Sequence, residues 1–435
     1  MVGKTVAITT LGCKVNQYES NAIAGMFRAA GYQTVDFDGP ADIYIINTCT
    51  VTHLSDKKSR QFIRRAVRVN PEGLVVVTGC YAQTSPGEVM EIPGVDLVVG
   101  TVDRSRMVEL VEGTAKGGRI STVGDVFAVR EFEELPAVAY TGRVRAFLKI
   151  QEGCNNYCSY CIIPYARGAL KSRRPKNVLE EAGRLVAGGF QEIVLTGIHT
   201  GAYGQDSNQH ISLADLLRRL STIPGLARIR LSSVEPMDFN DGLIDVFASG
   251  PPVCRHIHIP LQSGDDTILK NMRRHYTTSG FQKLVEKLHC RVPGVAITTD
   301  VIVGFPGETE EQFQNTYNFV QASGFAGMHV FKYSPRRGTP AADFPGQVEP
   351  PVKDERSRML ITLGEKMTAA YAKKFIATTQ EVLAEEYYDA DNDLYQGYTD
   401  NYLKVVFSGN NNLRGKIIKV YIEVLKGMHL TGRII

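Results

Sequence analysis

No run in this sequence approaches the ~18 consecutive apolar residues that suggest a membrane-spanning helix. The first residues, MVGKTVAITTLGCK, also lack the apolar core and small-residue cleavage site of a secretory signal. A soluble, cytoplasmic protein is therefore expected. A large charge excess is missing too. The 49 Lys and Arg against 46 Asp and Glu leave a formal net charge of +3, which neither demands nor excludes a nucleic-acid partner. The cytosol keeps thiols reduced, so the eight cysteines read as metal ligands or free thiols rather than disulfides. The 435 residues, 43% hydrophobic and 22% charged, suit a globular protein of two or three domains.

The first region, residues 1–135, alternates apolar runs with helical patterns. Val6–Thr10, Ile43–Ile46, Leu74–Val77 and Leu97–Val99 read as buried strands; Tyr18–Ala30 and Ser55–Val69 read as helices. Such alternation predicts a parallel sheet covered on both faces. Cys13 (LGC), Cys49 (NTC) and Cys80 (TGC) each follow a strand. Topology alone would bring them to one sheet edge, where open α/β folds bind ligands. Each alone suits a small buried residue. Together they suit an iron–sulfur cluster with one iron left open, or an incomplete zinc site. Residues 111–139 read as a linker with short strand pieces.

The central region, 140–370, carries the most specific pattern: Cys154, Cys158 and Cys161 in EGCNNYCSYCIIP. Three cysteines at CxxxCxxC spacing, with Tyr160 before the last, hold three irons of a [4Fe–4S] cubane. In radical-SAM enzymes the fourth iron chelates S-adenosylmethionine. A zinc knuckle would need a fourth ligand, and His199 and His256 are distant in sequence. Six β/α units predict a partial TIM-type barrel with its site at the C-terminal strand ends. Gly197, Ser232, Glu235, Gln262, Ile302 and Gly304 fall there and, with Tyr160, are candidates for binding S-adenosylmethionine. In GFPGE, the acids Glu308 and Glu310 are expected in the first turn of a helix.

Between Gly153 and Leu179 there is no acidic residue, while Arg167, Lys171, Arg173, Arg174 and Lys176 are basic. A polyanion reaching the cluster loop would meet this segment first. A solvated basic face is the alternative. Cys254 and Cys290 read as core residues. His258 faces either the barrel interior or the core.

The last region, 372–435, carries five strand-like runs and predicts a small barrel of the oligonucleotide-binding kind. Residues 381–400 hold seven acids and no base, whereas 401–435 hold six bases against Glu423. Lys404, Arg414 and Lys416 on the basic side are candidate RNA contacts.

Taken together, the chain resembles the radical-SAM methylthiotransferases. The first region resembles their methylthiotransferase domain, with Cys13, Cys49 and Cys80 matching the auxiliary-cluster ligands. The centre resembles the radical-SAM core and the tail a TRAM domain, which engages substrate. The stretches LGCKVNQYES and EGCNNYCSYCIIPYARG are most similar to the type acting on threonylcarbamoyl-adenosine in tRNA. Types acting on isopentenyl-adenosine or on a ribosomal protein read differently after the first cysteine. The resemblance implies two [4Fe–4S] clusters and S-adenosylmethionine as cofactors. It implies a tRNA substrate next to the anticodon, and an electron donor and sulfur source of unstated identity. One S-adenosylmethionine would methylate cluster-held sulfur; a second would give the radical that activates C2 of adenine. A monomer is expected. The rivals are the same chemistry on a ribosomal protein and a non-catalytic, metal-stabilised RNA-binding protein.

Overall fold

The computed structural model describes residues 3–136, 143–206, 211–389, 393–409 and 412–435. The end of the expected linker (137–139), the boundary at 140 and, among the turn signals that separate the strand-like runs of the tail, Asp391-Asn392 and the middle of Gly409-Asn410-Asn411-Asn412 lie outside the described residues.

The first unit is a six-stranded parallel sheet: β1 (Thr5–Thr10), β2 (Gln33–Val35), β3 (Ile43–Thr48), β4 (Leu74–Gly79), β5 (Leu97–Val98) and β6 (Ile120–Ser121). The order is β2-β1-β3-β4-β5-β6. Strand order reverses between β1 and β3, which opens a crevice at their C-terminal ends. The apolar runs are the buried centre of this sheet. Strand β2 was not expected, being a short, half-polar edge without an apolar signal; β6 is one of the short strand pieces expected in 111–139, and it joins the sheet as its other edge. The first helix, α1, spans Lys14–Ala29 and starts four residues before its expected position. Its N-cap is Cys13, which makes no side-chain capping bond, so the usual Ser, Thr or Asp marker is absent.

The central unit contains six parallel strands: β7 (Arg145–Lys149), then β10 (Glu192–Thr196), β11 (Arg228–Leu231), β12 (His256–His258), β13 (Ala296–Val303) and β14 (Gly327–Lys332). Between β7 and β10, a short antiparallel pair, β8 (Gln151–Glu152) and β9 (Lys171–Ser172), closes the base of the cysteine loop. Neighbours pair in the order β7-β10-β11 and β12-β13-β14. The halves join where Ile229 N donates to Pro252 O at 2.7 Å and Cys254 N to Ile229 O at 2.9 Å. The result is an arc, with no β7–β14 pairing among the described residues. Outward aliphatic residues such as Ile193, Leu195, Ile257 and Ile297 pack under the helices in the largest core. The helix Pro175–Ala187 escaped the sequence reading; it begins with proline in its first turn.

The tail is a closed barrel of β15 (Thr379–Asp389), β16 (Leu394–Thr399), β17 (Lys404–Ser408), β18 (Ile417–Lys426) and β19 (His429–Ile434). Its acidic half docks on the N-terminal end of the arc. Arg228 donates to the Tyr398 and Glu381 carbonyls at 2.9 and 2.7 Å. Arg230 donates to the Asp400 carbonyl at 2.9 Å and pairs with Glu192 at 2.7 Å. Arg145 pairs with Glu385 at 2.7 Å, and Tyr402 lies 4.6 Å from the Arg230 guanidinium. Replacing Arg230 with methionine is expected to lower stability by about 3 kcal/mol, because it strips a buried carboxylate of its closest cation. The check is the midpoint of urea unfolding.

Candidate active site

Cys13, Cys49 and Cys80 all stand in the β1/β3/β4 crevice, each at or near the start of a helix. Helix N-termini carry partial positive charge and favour thiolates. Gly12 lets the first loop approach: it has φ +99°, and a Cβ there would lie 2.9 Å from Cys49 Sγ. Asn16 ties the loops together, donating to the Leu11 and Thr48 carbonyls at 2.7 and 3.0 Å. All three thiols are free. Burial pushes the Cys49 thiol up and the Cys80 thiol to about 12, so thiolates here call for a bound cation centre.

The second trio lies in the loop between β8 and β9, the same loop that carries Arg167. Ser159 N donates to the Met272 carbonyl at 3.0 Å and fixes this loop on the arc. Each of two sulfurs has a basic neighbour. Arg274 donates to Cys158 Sγ at 3.3 Å while pairing with Glu235. His199 Nδ1 is 3.9 Å from Cys154 Sγ, and its Nε2 is 2.7 Å from Asp238. Burial opposes charge on His199, yet the bonds to Asp238 and Cys154 raise it to about 10. Burial also pushes the Cys158 and Cys161 thiols up. Three free thiols in one partly buried loop, two of them met by basic side chains, fit a cluster with one open iron.

Gly153 is essential to this geometry. It has φ +74°, and a Cβ would fall 1.9 Å from the Ala169 carbonyl oxygen. Gly153→Ala is expected to destabilise the loop by about 2 kcal/mol or more and to lower iron bound per chain after reconstitution, read by iron and sulfide analysis.

Between the trios lies a buried charge network. Arg167 Nε donates to Cys80 Sγ at 3.3 Å, and Nη2 donates to Asn16 at 2.6 Å and Glu19 at 3.1 Å. Lys149 pairs with Glu19 at 2.8 Å and also with Glu152; Arg104 pairs with Glu19 and, at 2.9 Å, with Glu133. The three acids and three bases balance. Burial alone would raise the Glu19 carboxyl, but Arg104, Arg167 and Lys149 hold it well below the usual range. One arginine thus joins the Cys13/Cys49/Cys80 crevice to the strand that enters the Cys154 loop. None of Glu19, Arg104, Lys149, Glu152 or Arg274 was singled out from sequence as a functional residue; His199, set aside there as distant in sequence, stands beside Cys154 because the turn after β10 brings it there. The one available signal was the position of Glu152, two residues before Cys154.

This corrects the reading of the basic segment. Arg167, Lys171 and Arg173 are buried, not presented to a polyanion. Arg173 pairs with Glu134 and Glu181, and Lys171 donates to the Arg167 carbonyl at 3.1 Å. Their neutralising acids lie outside the 153–179 window. Arg174 and Lys176 remain exposed, as do Arg414 and Lys416; Lys404 is half-buried, its ammonium 5.3 Å from the Tyr388 ring centre.

The strand-end candidates separate. Tyr160 and Ile302 meet in one apolar cluster with Ile268, Met272 and Phe305. Gln262 sits at φ +63°, its backbone bonded to Asp300 O and Ile302 N, and its side-chain amide has no bond among the described residues. Gln151 pins the Gly197 turn by accepting from Ile198 N and His199 N at 2.9 and 2.6 Å. The Ser232 hydroxyl is committed to Leu195 O at 2.8 Å and Glu235 to Arg274. The Gly304 N–H donates to Glu308 at 2.7 Å. Glu308 itself is a correction: it precedes the Thr309 N-cap and is buried on Arg356 at 2.8 Å, while Glu310 does lie in the first turn. Cys254 is buried, but Cys290 is exposed, since its helix turns that side outward. His258 faces the interior of the arc and bonds Thr298 and Asp300.

Residues 5–100 match the uncharacterized protein family UPF0004, and residues 148–320 match the radical SAM superfamily. The chain is 51% identical to the threonylcarbamoyladenosine tRNA methylthiotransferase MtaB of Bacillus subtilis, over 96% of this chain and 93% of that protein. It is 36% identical to a tRNA-2-methylthio-N(6)-dimethylallyladenosine synthase of Pelotomaculum thermopropionicum, over 99% of this chain and 97% of that protein. Among solved structures, the radical S-adenosylmethionine methyltransferase TsrM of Kitasatospora setae superposes with a TM-score of 0.58 at 18% identity, covering 78% of this chain and 77% of that one. No described helix is long and apolar enough to cross a membrane. This chain therefore belongs to the radical-SAM methylthiotransferase family, in its MtaB type.

Proposed function

We propose that the protein adds a methylthio group to C2 of N6-threonylcarbamoyladenosine at position 37 of tRNA, in the cytoplasm and as a monomer. The observation that carries this is the pair of cysteine trios on one domain interface, linked through Arg167. Cys154, Cys158 and Cys161 would hold one [4Fe–4S] cluster, and Cys13, Cys49 and Cys80 a second. When bound, these clusters and S-adenosylmethionine supply the radical and the methylated sulfur, chemistry that no side chain can perform on an aromatic C–H.

The chain's own residues bind, orient and shield. Arg274 and His199 offset charge on the Cys158 and Cys154 sulfurs, as Arg167 does for Cys80. The open amide of Gln262 and the apolar Tyr160–Ile302 wall suit a nucleoside cofactor, beside the Gly197 turn held by Gln151. Ser232, Glu235 and Gly304 act there through the groups they hold. Residues 1–135 form the auxiliary-cluster domain, 140–370 the radical-SAM core and 372–435 a TRAM domain. Arg174, Lys404, Arg414 and Lys416 meet the tRNA backbone. The electron donor and sulfur source come from outside the chain.

The test is to incubate anaerobically reconstituted full-length protein with S-adenosylmethionine, a chemical reductant and tRNA bearing threonylcarbamoyladenosine. A methylthiolated threonylcarbamoyl nucleoside by mass spectrometry supports the reading. Its absence while 5′-deoxyadenosine accumulates, or methylthiolation of a ribosomal protein instead, overturns it.

A further inference from the structure

One strongly basic surface has no part in either cysteine trio or in the tail. The second helix, α2, spans His53–Val69. Its inner side buries Asp56, Ser59, Ile63 and Ala66. Its outer side carries Lys57, Arg64 and Arg68 at helical spacing, with Lys58 and Arg65 beside them, and all five are exposed. The one acid of the helix, Asp56, lies on the buried side and pairs with Arg336 of the central unit. Arg65 has a carboxylate, Asp38, at 2.5 Å. Lys57, Lys58, Arg64 and Arg68 have no ion pair or hydrogen bond among the described residues.

A solvated face is the ordinary reading of a charge run. Elsewhere in this chain, however, exposed helical bases are matched: Arg218 lies 3.0 Å from Asp215 and Arg291 2.5 Å from Asp245. The formal excess of the whole chain is only +3, yet five bases and no acid gather on this one face. Arg64 and Arg68 stand one turn apart, where like charges weaken a helix. A polyanion on this face removes that repulsion and gives up its own counterions. The face is about 16 Å long from Lys57 to Arg68.

The helix also starts at a telling place. Ser59 donates to the Cys49 carbonyl at 3.3 Å. His53 N donates to Ser334 Oγ at 3.2 Å, so the first turn meets the loop that leaves β14. Val51 and Leu54, 48% and 60% exposed, stand in sequence between Cys49 and the basic face.

We propose that the outer face of α2 is the docking surface for the base-paired stem next to the modified nucleotide of the tRNA. The placement rests on the tRNA reading. Phosphates of the stem meet the five bases, and the unpaired loop passes Leu54 and Val51 to the junction where Cys49 stands. Phosphate contacts set register and orientation without reading sequence. The cores of protein interfaces are apolar and poor in lysine, whereas this face offers only bases and Gln61 between Lys57 and Arg68. RNA therefore fits it better than an acidic protein does.

The test measures binding of an anticodon stem-loop bearing threonylcarbamoyladenosine to reconstituted full-length protein over a range of salt. Arg64→Gln/Arg68→Gln keeps good helix formers in place and removes two charges. It is expected to bind about tenfold more weakly and to lower the slope of log affinity against log salt by about two. Lys57→Gln/Lys58→Gln, at the other end of the face, is expected to act likewise and supplies a second pair should the first misfold. Iron and sulfide content and the urea midpoint check that each variant is loaded and folded. Arg218→Gln, on another helix, is expected to keep the native affinity and slope. The isolated loop without its stem is expected to bind native protein and both double variants alike. Native affinity and slope in the folded double variants overturn the proposal, as does an equal loss in Arg218→Gln or with the isolated loop. Unchanged RNA binding with loss only of turnover driven by a protein reductant assigns the face to an acidic protein and overturns it too. Native protein that binds no stem-loop but methylthiolates a ribosomal protein overturns the substrate reading beneath it.

Discussion

Alanine in place of Cys13, Cys49 or Cys80 will abolish methylthio transfer while 5′-deoxyadenosine still forms. The two trios occupy separate loops on separate domains, and each has its own basic neighbour: Arg167 for Cys80, Arg274 and His199 for Cys158 and Cys154. Replacing a cysteine of the first trio leaves the β8–β9 loop, its anchor on Met272 and its cationic neighbours in place. The expected loss in methylthiolated product exceeds about 10³-fold, the scale seen when a group acting as part of a unit is removed. Alanine at Cys154, Cys158 or Cys161 is expected to remove both products. Quantifying 5′-deoxyadenosine and methylthio-nucleoside together separates the two classes. Equal loss of both products in an auxiliary variant would contradict the division of labour.

The second large effect concerns Arg167. Its guanidinium is fully buried among Glu19, Glu152, Asn16 and Cys80. Arg167→Ala leaves the buried network with two cations against three acids, an uncompensated charge that costs about 3–5 kcal/mol. The unfolding midpoint of the metal-free protein should fall accordingly. Because the domain interface passes through this residue, limited proteolysis between residues 101 and 136 should also accelerate. Adding Glu19→Gln removes the unmatched charge, so the double variant is expected to recover part of the loss. Additive losses would show that the pair is not coupled.

The architecture was legible in the sequence because it rests on local patterns. Continuous Val and Ile runs marked the central strands, and the topological rule for open sheets placed Cys13, Cys49 and Cys80 in one crevice before any coordinates. What stayed hidden depends on contacts between distant residues. Arg167, Lys171 and Arg173 looked like a basic face because the acids that bury them, Glu19, Glu134 and Glu181, lie outside the window. The start of α1 at Lys14 was hidden because Cys13 caps it without a capping side chain. Glu308 looked like a helix-end acid, but Arg356, 48 residues later, draws it inward. The acidic half of the tail gave no hint of its partner, since Arg145, Arg228 and Arg230 lie some 150 residues or more away.

The central claim is that this chain methylthiolates threonylcarbamoyladenosine. Its most direct test is mass spectrometry of nucleosides from tRNA of cells lacking the protein. The account predicts that the 2-methylthio form of threonylcarbamoyladenosine disappears and the unmethylthiolated form accumulates in its place. An unchanged level of the methylthiolated nucleoside would contradict it.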